Sequence, residues 1–95
     1  FMSIQKAFGH SLRVTRKASN LSQEDFSDVS SRTYMSSLER GLKSPTLDKV
    51  QSLAARMGVH PLTLLTITYL FEASDTDATR LLAQVQSEVD SIFKD

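Results

Sequence analysis

The stretch Leu21-Ser22-Gln23-Glu24-Asp25-Phe26, followed after a break by Ser31-Arg32-Thr33-Tyr34-Met35-Ser36-Ser37-Leu38-Glu39-Arg40-Gly41, decides how this chain folds. Ser22 is a good N-cap, because its hydroxyl accepts from the free backbone N–H groups of a helix's first turn. Glu24 and Asp25 then sit at the positive end of the helix dipole. Phe26 and Val29 are the apolar residues of this short helix. Ser30-Ser31 makes a turn, and Ser31 can cap a third helix over about Arg32 to Arg40, with Met35 and Leu38 facing inward. Gly41 falls where a left-handed C-terminal cap is expected.

Upstream, Ile4, Ala7, Phe8 and Leu12 recur at helical spacing over about Ile4 to Ala18, leaving Lys6, Arg13 and Lys17 on the other face. Ser19-Asn20 ends that helix. Downstream, Thr46 begins a fourth helix carrying Leu47, Val50, Leu53, Ala54 and Met57, closed by Gly58. His60-Pro61 opens a fifth, with Pro61 at the tolerated first position. Its Leu64-Leu65-Thr66-Ile67-Thr68-Tyr69 run also suits a strand, but no partner strand exists elsewhere in the sequence. A loop around Ala73 to Thr76 precedes a sixth helix over about Asp77 to Phe93. The expectation is an all-α fold: five helices within residues 4–72, then an amphipathic C-terminal helix within 76–94.

Composition sets the outer bounds. With 95 residues, 40% hydrophobic and 23% charged, the chain can bury one compact core. It has no cysteine, hence no disulfide, thiolate metal site or thiol nucleophile. No apolar run approaches the roughly 20 residues of a membrane span. The N-terminus lacks a signal-peptide pattern, so a cytoplasmic location is expected, and Phe1 ahead of Met2 points to Met2 as the natural start. Nothing follows residue 95, so no separate effector domain is expected. The 11 basic and 11 acidic residues cancel, but unevenly: residues 1–70 carry nine bases against five acids, residues 71–95 two against six. A basic part is thus joined to an acidic appendage.

Two short helices separated by a tight turn, the second rich in small polar and basic residues, match a helix-turn-helix. Together with Ser44-Pro45-Thr46, with Phe8-Gly9, Leu12, Arg13 and Arg16 upstream and Met57-Gly58-Val59 downstream, these segments resemble the Cro/repressor (XRE-type) DNA-binding family over roughly residues 4–70. The resemblance implies a transcriptional regulator that binds double-stranded DNA. It places Met35 and Leu38 in the core of the recognition helix and Gln23 against a phosphate. Arg32 and Thr33 would reach base edges, with Ser37 as a third such residue one turn on. Arg40 and Lys43 would run along the backbone, and Arg16 and Glu39 would form an ion pair between the first and third helices. Ser36 joins the candidate contacts. Tyr34 either packs on a sugar-phosphate chain or half-buries against a neighbouring helix. Arginine suits base reading because it gives two parallel hydrogen bonds to guanine. The chain departs from the family's pattern in a shorter, glycine-free turn between Phe26 and Ser31, in Thr15 at a usually apolar position, and in His60 as an N-cap.

Other chemistry has no carrier in the sequence. His10 and His60 are far apart with no ligand set around them, and Asp75 and Asp77 read as a helix-start cap. No catalytic triad, phosphate loop or zinc motif is present, so neither an enzyme nor a cofactor is expected. In the last helix Ala78, Leu82, Val85, Val89 and Ile92 are spaced four, three, four and three apart, with Leu81 and Phe93 widening the stripe. Two readings follow: the helix folds back on its own domain, or Leu82, Val85, Val89 and Ile92 pair two subunits, which is favoured. The preferred function is a sequence-specific homodimeric regulator on a two-half-site operator, with an antitoxin-like protein-binding module as the alternative. Phage-repressor, restriction-modification and chromosomal roles are not separated.

Overall fold

The computed structural model describes residues 2–94, and the reading of Phe1 lies outside them. Five α-helices and one 3₁₀ turn follow in order: α1 (Ile4–Ala18), the 3₁₀ turn (Gln23–Phe26), α2 (Arg32–Glu39), α3 (Leu47–Arg56), α4 (Pro61–Glu72) and α5 (Ala78–Ile92). There is no strand among the described residues. The fold is all-α, and the Thr-rich 61–72 segment is helical as Pro61 indicates.

Every helix start is closed by a side chain. Ser3, Ser22, Ser31, Thr46 and Asp77 accept backbone N–H groups from the first turns that they precede. His60, an unusual residue for this position, does so through Nδ1, which accepts the Leu62 N–H at 3.0 Å. Three C-termini share one geometry. Asn20, Gly41 and Gly58 have φ of 58°, 73° and 72°. The residue after each donates back to a carbonyl five positions earlier: Leu21 to Arg16, Leu42 to Ser37 and Val59 to Ala54. This is the Schellman closure, which needs a left-handed residue at its centre.

The core lies between α1, α2, α3 and α4. Phe8, Leu12, Phe26, Met35, Leu38, Val50, Leu53, Ala54, Met57 and Leu64 form one buried cluster, with Leu21, Val29, Tyr34, Val59 and Leu65 packed against it. Two apolar residues of the expected faces stay out: Ile4 is exposed, and so is Leu47 at the first position of α3, one turn ahead of the buried Val50. Gly9 lets α1 approach the end of α2. A Cβ there would lie 2.6 Å from the Glu39 carbonyl oxygen and closer still to that of Leu38. The buried Ser11 hydroxyl links α1 to α4 by donating to the Leu64 carbonyl at 2.8 Å, a carbonyl that also accepts from Thr68 within α4 at 2.8 Å. Thr15 is buried with its hydroxyl unpaired, the cost of a polar group at a position that favours an apolar one.

Candidate nucleic-acid interface

Three elements are pinned together around Arg16. Its Nε and Nη2 donate to the two carboxylate oxygens of Glu39 at 2.6 and 3.0 Å, and its Nη1 donates to the Leu21 carbonyl at 2.9 Å. Gln23 Nε2 donates to Glu39 Oε1 at 3.1 Å. The Arg16 and Glu39 side chains are only 12% and 5% exposed. The hydrogen bonds that Arg16 donates to Glu39 raise its pKa, against the opposing effect of burial. A two-pronged guanidinium–carboxylate pair fixes angle as well as distance. Through it, α1 sets the orientation of α2 relative to the 3₁₀ turn.

The shortened turn is held differently from an ordinary second helix. Ser22 and Asp25 cap each other reciprocally, and the Ser22 backbone N–H and then its hydroxyl hold the Asp25 carboxyl below the usual aspartate range. Phe26 is fully buried beneath the turn, and its carbonyl accepts from Val29 and Ser30 at 2.9 and 2.8 Å. A single 3₁₀ turn leaves further carbonyls without helical partners. Two cations of α3 fill that gap: Arg56 Nε donates to the Asp25 carbonyl at 2.9 Å, and Lys49 Nζ to the Val29 carbonyl at 2.6 Å. Neither residue stood out in the sequence. The available signal was their spacing of seven, which puts both on one face of α3 opposite a turn too short to satisfy itself.

Beyond this support, Arg32, Thr33, Ser36 and Arg40 line one open depression together with Gln23. Their spacing along α2 places them on a single face, while Met35 and Leu38 enter the core from the other. Arg32 and Thr33 occupy the first turn of α2, just after the Ser31 cap. Arg40 and Lys43 are exposed, and the following loop is tied to α1 by a 2.8 Å hydrogen bond from Gln5 Nε2 to Ser44 Oγ.

One expected contact lies apart from the others. Ser37 is only 9% exposed and does not line the depression. It lies on the flank of α2 where the chain folds back past Gly41 and the Leu42 N–H meets the Ser37 carbonyl. Ser36 holds the open position instead. Tyr34 also lies outside the depression, half-buried against the core with Lys49 Nζ 5.5 Å from its ring centroid.

The acidic helix α5 touches the body through α4, where Leu62, Leu65, Thr66 and Tyr69 face Leu81, Leu82 and Val85 across an open apolar groove. No residue of α5 is buried. Leu82, Val85, Val89 and Ile92 are 51%, 45%, 42% and 77% exposed, and Phe93 is 83% exposed. Folding back thus covers only part of the stripe.

No group of three or more His, Asp or Glu among the described residues is placed to hold a metal. His10 stacks edge-on against Phe71, with ring centroids 4.8 Å apart. No described helix is long and apolar enough to cross a membrane.

A family model described as helix-turn-helix matches residues 12–64, from α1 into α4. Two relatives match over 69 residues, 70% of this chain. The control protein C.BamHI of Bacillus amyloliquefaciens is 38% identical over 85% of its own length. An uncharacterized HTH-type transcriptional regulator, y4dJ of Sinorhizobium fredii, is 36% identical over 90% of its length. The matched region carries the Arg16–Glu39 pair, the capped α2 and the open face it presents, and on both grounds the chain belongs to the XRE-type helix-turn-helix family of DNA-binding transcription regulators.

Proposed function

We propose that the chain binds a specific operator as a homodimer, with residues 4–72 reading DNA and residues 76–94 joining the subunits. The observation that carries this reading is the face of α2. Arg32, Thr33 and Ser36 share one open surface at the start of a helix whose other side is locked into the core. An α-helix fits the major groove and presents its first residues to base edges. In this arrangement Arg32 reads guanine, and Thr33 meets a thymine methyl or hydrogen-bonds a base. Gln23, Arg40 and Lys43 meet phosphates and set register without reading sequence. Gln23 keeps one amide N–H for this after its bond to Glu39.

Two observations support a dimer. The surplus of four positive charges over residues 1–70 neutralises few phosphates, so one subunit alone binds weakly. The stripe Leu82, Val85, Val89 and Ile92 is exposed along α5, and burying it against a second copy removes it from water. Two recognition helices then read half-sites about 34 Å apart. Similarity to a protein named a control protein and to one named a transcriptional regulator agrees with a regulatory role.

Selection from a random DNA library, followed by mobility shifts on the enriched duplex, tests the reading. Arg32→Ala is expected to weaken operator binding by about 1–3 kcal/mol and relax the preference at one base pair. Unchanged affinity and preference would refute the contact assignment. A stable heterocomplex that displaces the homodimer would favour a protein-binding module instead.

A further inference from the structure

We propose that Glu24 is a specificity-determining residue of this interface, a positioning residue that acts through Arg32; the inference rests on the DNA-binding reading of the α2 face. Glu24 is the second residue of the 3₁₀ turn, and its Oε1 lies 3.6 Å from Nη1 of Arg32. Both side chains are about three-quarters exposed, at 76% and 74%. An ion pair this open adds little to folding. The neighbouring acids are otherwise engaged: Asp25 caps Ser22, Glu39 is held by Arg16 and Gln23, and Asp28 lies 4.0 Å from Arg56. Glu24 is the acid whose partner is the arginine at the head of the recognition helix.

A carboxylate at that place acts on DNA in two ways. It is repelled by phosphates wherever it is left without a cationic partner. It also lies within ion-pair distance of the Nη1 end of the Arg32 guanidinium, whose five N–H donors allow the opposite edge to face guanine O6 and N7 while the Nη1 end stays beside Glu24. On the correct base pair, Arg32 keeps both partners and the carboxylate stays neutralised. On a wrong one, Arg32 gains most by swinging to a phosphate, which strands Glu24 as an unpaired anion beside the backbone. Specificity built on such a penalty costs affinity for all DNA and costs least at the right site.

Titrations of the full-length chain against its selected operator and against a random-sequence duplex, at one salt concentration, test this. Glu24→Gln is expected to tighten binding to random DNA about threefold to fivefold and change operator binding by less than about twofold, so the discrimination ratio falls. In an Arg32→Ala background the same change should leave the ratio where Arg32→Ala alone puts it. Equal tightening on both duplexes, no change on either, or an undiminished fall in the ratio without Arg32 would each overturn the proposal. A wild-type chain that enriches no sequence would instead defeat the DNA-reading assignment itself.

Discussion

Helices α1 and α5 are each 15 residues long, both capped and both amphipathic in sequence, yet α1 buries six residues and α5 none. The difference lies in the partners. The apolar side of α1 meets α2 and α4, with Gly9 allowing close approach and the Ser11 hydroxyl reaching the Leu64 carbonyl. α5 meets only one side of α4 and leaves its stripe open from Leu82 to Phe93. An amphipathic pattern states that a helix needs a partner; it does not state whether that partner is in the same chain.

Truncating one residue on each helix gives the largest contrast. Leu12→Ala in the core of α1 is expected to cost about 2–5 kcal/mol by denaturant unfolding. Val89→Ala on α5, measured at protein concentrations low enough to keep the chain monomeric, should stay within about 0.5 kcal/mol. Comparable losses would place α5 within the folding unit and erase the contrast. Next in size, Arg16→Ala strands Glu39 in a nearly closed site and should cost about 3 kcal/mol, with operator binding lost at temperatures where the variant is still folded. A variant that keeps wild-type stability would show that the pair does not orient α2.

Much of this architecture is legible in the residues. Ser22, Ser31, Thr46 and Asp77 mark helix starts, Gly41 and Gly58 mark ends, and the spacing of Phe8, Leu12, Met35, Leu38, Val50 and Leu53 marks the core. These signals are local, so a linear reading finds them. What was not legible depends on two segments meeting. Ser37 is enclosed because the chain folds back at Gly41, and Lys49 and Arg56 serve carbonyls 20 and 31 residues away. The Glu24–Arg32 pair forms only because the 3₁₀ turn lies beside the start of α2.

Smaller effects sharpen the account of the body. Thr15→Val removes the unpaired buried hydroxyl while keeping its volume, and is expected to raise stability by about 1 kcal/mol. A loss instead would mean that the hydroxyl has a partner in solution. The smallest effect is one of pH. The Asp25 carboxyl is held below its ordinary value in the folded chain, so its contribution is complete at neutral pH and vanishes as pH falls through that lowered value. Asp25→Ala should therefore lower the thermal midpoint at neutral pH and converge with wild type in acid. A gap that persists unchanged into acid would contradict the capping assignment.

Sedimentation equilibrium of the wild-type chain beside a Val85→Asp/Val89→Asp variant is the most direct test of α5 as the joining surface. The expected result is twice the chain mass for wild type and a single chain mass for the variant, with helical content retained and operator binding lost. A monomeric wild type, or a variant that remains dimeric, would contradict it.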